Sequence, residues 1–121
     1  MQEIVIDGQE CSLLAGCDVT DIGVVPTPTV QVMVEELKAA GGIVISASHN
    51  PVEWNALKLI NSSGTFLTQA EIKKLFRIMD TPPVFKNWNK IGKLKTLGNA
   101  GEKNLKKIMS MVDVDKIKNR K

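Results

Sequence analysis

The chain has 121 residues, 43 % of them apolar and 24 % charged, with a formal net charge of +3; this is one small domain at most, too short to form both walls of a two-domain cleft. No run approaches the roughly 18 apolar residues of a membrane helix, and MQEIVIDGQE lacks the basic-then-apolar layout of a signal peptide, so a cytoplasmic protein with no membrane partner is expected. The charge is uneven, with five basic side chains against ten acidic in residues 1–80 and eleven against three in residues 81–121.

Residues 1–16 read two ways. EIVID has the composition of a strand, while the spacing of Ile4, Cys11 and Leu14 fits a helix interrupted by Gly8, and the helix is favoured. Cys11 and Cys17 lie six apart with no second pair and no histidine nearby, which is neither a zinc site nor a disulfide framework; two reduced thiols are expected. Cys17–Val25 alternates and is rich in β-branched residues, as a strand requires. Pro26-Thr27-Pro28-Thr29 suits the first turn of a helix. Val30, Met33, Val34 and Leu37 give that helix one apolar face, and Gly41-Gly42 is expected to end it.

Ile43–Ile45 is a short apolar run of the kind buried in a sheet, and Ala56–Ile60 is an alternating strand with Lys58 on the face opposite Leu57 and Leu59. Asn61-Ser62-Ser63-Gly64 is a turn. Thr68 with Glu71 forms a capping box for a second helix that presents Ile72, Leu75, Phe76 and Met79 and closes at Pro82-Pro83. Residues 81–100 read as an irregular connector between packed units. A third helix, from about Gly101 to Val112, is expected to turn Leu105, Ile108, Met109 and Val112 inward. The lysines around it are scattered rather than clustered, which argues for a solvated surface and against a nucleic-acid partner. Strand, helix and strand in this order form a right-handed βαβ unit, so the fold class is α/β with an open sheet and helices against it.

The segment richest in chemistry is IVISASHNPVEWNALK, residues 43–58. An apolar strand ends there and delivers Ser46, Ser48, His49 and Asn50 into a loop closed by Pro51. In open α/β sheets, ligands sit beyond the carboxyl ends of the strands, which makes this loop a candidate site. His49 is the sole histidine, which removes any multi-histidine metal site. Serine hydrolysis fits poorly: neighbours in sequence rarely aim Oγ and imidazole at each other, and no G-x-S-x-G elbow or third triad member is evident. No G-x-x-x-x-G-K-[ST] phosphate loop occurs. On pattern alone, a loop whose polar side chains merely cap the backbone explains these residues as well as a site does.

The words A-S-H-N-P after an apolar strand, followed by W-N-A-L-K, resemble the active-site loop of the α-D-phosphohexomutases: phosphoglucomutase, phosphomannomutase and phosphoglucosamine mutase. The flanks are similar too. GCDVTDIGVVPTPTVQVMVEELKAAGG resembles the strand, helix and glycine block before that loop, LINSSGTFLTQAEI the strand and helix after it, and MSMVDVDKIK the crossing from the first into the second domain. The resemblance implies a three-layer α/β/α open mixed sheet, an incomplete first domain spanning residues 1–100, with residues 101–121 a helical linker into a second domain. It also implies phosphoryl transfer through a phosphoserine at Ser48, interconverting hexose 6-phosphate and hexose 1-phosphate by way of a bisphosphate. Lys58 matches the family lysine beside the loop, a group for proton transfer or charge stabilisation; His49 and Asn50 match residues that shape it. A Mg²⁺ would bind the Ser48 phosphate and aspartates of the second domain, with a hexose 1,6-bisphosphate as activator.

The departures bear on function. The family's arginine-bearing opening segment, its D-x-D-x-D-R metal loop, its sugar-binding loop and its phosphate-binding loop have no match; Asp113-Val114-Asp115 is followed by Lys116 and is a decoy. A strand central to the family sheet also has no match, so the chain alone is expected to dimerise, swap elements or be marginally stable. A non-catalytic phospho-sugar-binding or interaction module is therefore the competing reading. The sugar is not legible, with phosphoglucosamine and phosphomannomutase relatives the nearest in pattern.

Overall fold

The computed structural model describes residues 3–5, 10–51 and 53–119, with side chains described from Ser12 onward. Five strands form one mixed sheet: β1 (Glu3–Val5), β2 (Asp18–Asp21), β3 (Gly41–Ser46), β4 (Ala56–Asn61) and β5 (Leu94–Thr96), in the order β4-β3-β1-β2-β5. Strand β1 pairs in parallel with β2 and β3, β2 in parallel with β5, and β4 runs antiparallel on β3. Among the described residues, five α-helices accompany it: α1 (Glu10–Leu14), α2 (Thr27–Glu36), α3 (Gln69–Met79), α4 (Ala100–Met111) and α5 (Val114–Lys118).

Two expectations about the amino-terminal part change. Glu3–Val5 is a strand and Glu10–Leu14 a helix, while residues 6–9, and with them Gly8, lie outside the described part, as does the Cys11 side chain. Strand β1 occupies the centre of the sheet between β2 and β3. The central strand expected to be lacking is thus present, and a gap in the sheet no longer gives the chain a reason to dimerise or swap. The crossovers β1-α1-β2 and β2-α2-β3 run in opposite directions across the sheet, so the right-handed rule sets α1 and α2 on opposite faces of the three-layer fold.

Helix α2 builds the core. Its Val30, Met33 and Val34 are buried with Ile22, Ala39, Ile60 and Ala100. It ends before the glycines expected to stop it. Leu37 is the C-cap, and Lys38 takes the left-handed conformation at φ 52°. The Lys38 N–H donates to the Glu35 carbonyl and the Ala39 N–H to the Val34 carbonyl, the paired bonds of a Schellman motif. Gly41 and Gly42 instead open β3, where a Cβ on Gly42 would stand 2.7 Å from Val34 Cγ2. Glycine is needed there for close helix–sheet approach.

The stretch 81–100 is more than a connector. It holds a 3₁₀ turn at Trp88–Lys90 and then β5, an edge strand of the sheet. Backbone bonds from Lys86 N to Leu14 O and from Gly92 N to Leu13 O tie it to the end of α1, and Lys93 N donates to Asp18 Oδ1 at 2.8 Å. Gly92 approaches the Cys17 carbonyl so closely that no side chain would fit. Cys17 is a free thiol.

Helix α4 lies against α2 through polar side chains: Asn104 Nδ2 donates to Thr29 Oγ1 at 2.9 Å, and Lys107 Nζ reaches Glu35 Oε2 at 3.0 Å. Its apolar stripe does not face inward as expected; Leu105 is 58 % exposed, and Ile108, Met109 and Val112 are also exposed. The capping box of α3 forms as read, with Glu71 N donating to Thr68 Oγ1 and Thr68 N donating to Glu71 Oε2 at 2.7 Å. Yet Ile72, Phe76 and Met79 on that helix remain exposed. No helix among the described residues is long and apolar enough to cross a membrane.

Candidate functional site

The register of β3 and β4 decides which side chains stand near the loop. Gly42 pairs with Ile60, Val44 with Lys58 and Ser46 with Ala56. Gly42 meets α2, and side chains alternate along a strand, so Val44, Ser46, Lys58 and Ile60 share the α2 face. Ile43, Ile45, Leu57 and Leu59 lie on the other, where Ile45 and Leu57, directly paired, are exposed. Lys58 therefore stands opposite Leu57 and Leu59 as the alternation predicts. It is half-buried and one same-face step, about 7 Å along the strand, from the Ser46–Ala56 rung.

Strand β3 runs four residues past Gly42, which pairs with Val5 at the end of β1, and releases its chain at Ser46. Strands β1, β2 and β3 are parallel, so this is the carboxyl end of the sheet, beyond which open α/β folds hold ligands. Two bonds shape the loop there. The Ser48 N–H donates to Ser46 Oγ at 2.9 Å, and the Asn50 N–H to the Ala47 carbonyl at 3.0 Å. Ser48 sits at the tip with φ 56°. A left-handed conformation costs a non-glycine residue on the order of 1–2 kcal/mol, and strain of this kind gathers at functional sites.

Ser48, His49 and Asn50 are all exposed. Ser48 Oγ lies 3.3 Å from His49 Nδ1. The expectation that adjacent residues would not aim hydroxyl and imidazole at each other is thus corrected: the two side chains are within reach at the loop tip. When its Nδ1 carries no proton, His49 can accept the Ser48 hydroxyl hydrogen. Ser46, named in the sequence only as part of the loop, acts as the acceptor that holds Ser48. The S-x-S spacing was the available signal, since a serine hydroxyl commonly receives the N–H two residues on.

No three His, Cys, Asp or Glu side chains among the described residues gather into a group that could hold a metal ion. Asp113 is engaged elsewhere: Oδ1 accepts the Lys116 N–H at 3.1 Å and Oδ2 pairs with Lys116 Nζ at 3.2 Å, so it caps α5. The decoy reading of Asp113-Val114-Asp115 agrees with that geometry.

Comparison with known proteins bears on this loop directly. A family model described as phosphoglucomutase/phosphomannomutase, alpha/beta/alpha domain I, matches residues 10–83, which include the whole of it. The phosphoglucomutase/phosphomannomutase of Thermococcus kodakarensis is 38 % identical over 112 residues, covering 90 % of this chain and 24 % of that protein. The phosphoglucosamine mutase of Francisella tularensis (strain WY96-3418) is 40 % identical over 96 residues, covering 79 % of this chain and 22 % of its own length. In three dimensions, a crystal structure of a putative phosphomannomutase from Thermus thermophilus superposes with a TM-score of 0.71 at 25 % identity, over 94 % of this chain and 28 % of the other. The chain thus spans about a quarter of the length of these relatives. With the matched segment running from α1 through the Ser48 loop to the end of α3, the chain belongs to the phosphoglucomutase/phosphomannomutase family, as its α/β/α domain I.

Proposed function

We propose that this chain supplies the phosphoserine-bearing domain of a cytoplasmic phosphohexomutase that interconverts hexose 6-phosphate and hexose 1-phosphate, with glucosamine, mannose or glucose as the sugar. The observation that carries this reading is Ser48 itself: a strained, exposed hydroxyl at the carboxyl edge of the sheet, inside the segment that the family model matches. A phosphoryl donor must meet its acceptor in line and in the open, and a loop tip anchored to a strand offers that.

In the proposed cycle the P–Oγ bond of phosphorylated Ser48 breaks as a sugar hydroxyl oxygen bonds to phosphorus, giving a hexose bisphosphate. The sugar hydroxyl gives its proton to a base, and the departing Ser48 Oγ takes one up. After the bisphosphate reorients, its other phosphoryl group passes to Ser48 Oγ as its bond to the sugar oxygen breaks; that oxygen takes up a proton and the product leaves. His49 Nδ1 can take the serine proton in that return step. Lys58 is assigned to charge stabilisation or proton transfer at the face of the sheet it shares with Ser46. Asn50 shapes the turn. A hexose 1,6-bisphosphate would prime the serine.

The chain's own residues do not fit a complete Mg²⁺ site. Beyond a phosphate on Ser48, the described residues offer no gathered ligand set, so the remaining ligands would come from the other mutase domains, to which residues 101–121 would lead. Activity is expected of the protein that carries those domains and not of this domain alone.

Replacing Ser48 by alanine in the protein that carries this chain tests the reading. Loss of mutase activity with the fold intact supports it. Unchanged activity would overturn it and leave the non-catalytic phospho-sugar-binding or interaction module as the account.

A further inference from the structure

We infer that Ser46 is a positioning residue for Ser48: its hydroxyl, and not the loop sequence by itself, anchors the Ser48 amide to the end of β3 and so sets the direction in which the reactive serine leaves the strand. Ser46 is the last residue of β3 and is fixed by its pairing with Ala56 in the sheet. Its Oγ accepts the Ser48 N–H at 2.9 Å, two residues on. Among the described residues only Lys38 and Ser48 are non-glycines with positive φ. Lys38 is held by two backbone bonds of the helix end. Ser48 has no such pair; its own N–H goes to a side chain, and the one backbone bond across the turn is made by Asn50.

The consequence is directional. Without the bond to Ser46 Oγ the Ala47–Ser48 peptide plane is free to turn, which would carry Ser48 Cα and Oγ away from where the strand end aims them. Threonine at position 46 keeps the acceptor oxygen. Valine keeps the shape of threonine and lacks that oxygen, so Thr and Val form a matched pair that separates hydrogen bonding from packing.

The functional part of this inference rests on the phosphohexomutase reading, and the experiment has two arms so that the two can fail separately. In the first, NMR of the 121-residue chain reads the Ser48 amide through its exchange with solvent, which the bond to Ser46 Oγ slows. Ser46→Thr should keep that exchange slow and Ser46→Val should speed it, with the sheet cross-peaks of β3 and β4 unchanged. Equally slow exchange in Ser46→Val overturns the positioning role whatever the activity shows.

The second arm measures turnover in the protein that carries this chain. Misplacement of a reacting atom by about 1 Å can cost on the order of a hundredfold, so Ser46→Val should lower kcat about 10- to 100-fold, with KM for the hexose phosphate little changed. Ser46→Thr should restore it. Equal kcat in the two variants overturns the positioning role in catalysis. An unmodified protein whose Ser48 accepts no phosphate refutes the phosphohexomutase reading instead, and the first arm still decides the role of Ser46.

Discussion

Gly42→Ala reports on the register of the strand that aims the site. Gly42 faces α2 four residues before Ser46, and an added methyl would meet Val34 Cγ2 at 2.7 Å and Val30 Cγ1 at 3.3 Å. Neither neighbour can yield easily, since Val34 is 0 % and Val30 4 % exposed, and both are β-branched residues on a helix. Overpacking of this kind costs about 1–3 kcal/mol. The smaller conformational freedom of alanine in the unfolded chain offsets about 0.4–1 kcal/mol. The expected net loss is about 1–2 kcal/mol, or about 3–10 °C in Tm for a domain of this size. Gly98→Ala is the internal control: a Cβ there meets nothing within 4 Å and φ is not in the left-handed region, so the entropic gain should stand alone. Urea unfolding followed by circular dichroism on both variants measures the pair. If Gly42→Ala were as stable as the unmodified chain, or rose with Gly98→Ala, β3 would not present Gly42 to α2. The faces assigned to Ser46 and Lys58 would then be reversed.

Other perturbations test neighbouring parts of the structure. Lys38→Gly relieves about 1–2 kcal/mol of left-handed strain at the end of α2 and adds about 0.5–1 kcal/mol of glycine entropy, so a modest rise in thermal stability is expected. A fall would mean that Lys38 is not left-handed. Thr68→Ala removes the cap of α3 and should destabilise by about 1 kcal/mol at neutral pH, read by chemical denaturation; no change would count against the cap. Glu71 carries a pH signature. The Thr68 backbone N–H bond, then the Thr68 and Asn61 side-chain bonds, hold its carboxyl below the ordinary value of 4.5. A depressed folded pKa gives stability that is present above the unfolded value and is lost as pH falls through the folded one. Glu71→Gln should flatten stability against pH in that acid window, and an unaltered acid limb would refute the assignment.

Local signals carried most of the fold. Apolar spacing located α2, α3 and α4, and Thr68 with Glu71 marked the start of α3, because capping and periodicity act within a few residues. Long-range pairing was not legible. Three residues, Glu3–Val5, gave too little pattern to be recognised as the central strand, and β5 was hidden in a lysine-containing stretch whose side chains are exposed on the sheet edge. Gly41-Gly42 resembled a helix stop, but the bonds of Lys38 end the helix, while Gly42 makes room for Val34 and Gly41 for the Ile60 carbonyl. Periodicity also cannot tell which partner covers an apolar face. The stripes of α3 and α4 were correctly seen as apolar, yet α4 meets α2 through Asn104 and Lys107, while Leu105 and Phe76 stay exposed. At the candidate site, residue types pointed to Ser48, His49 and Asn50, and the resemblance to the phosphohexomutase loop added Lys58. What neither could show was the local conformation: a positive φ at Ser48, its hydroxyl 3.3 Å from His49 Nδ1, and a Ser46 hydroxyl that receives its N–H.

The central claim is that Ser48 carries the phosphoryl group. Its most direct test is peptide mapping by mass spectrometry after the protein that carries this chain has been exposed to a hexose 1,6-bisphosphate. The account predicts one phosphoryl group on the peptide containing Ser48, lost again when hexose monophosphate is added. A Ser48 peptide that stays unmodified while the protein turns over substrate would contradict it.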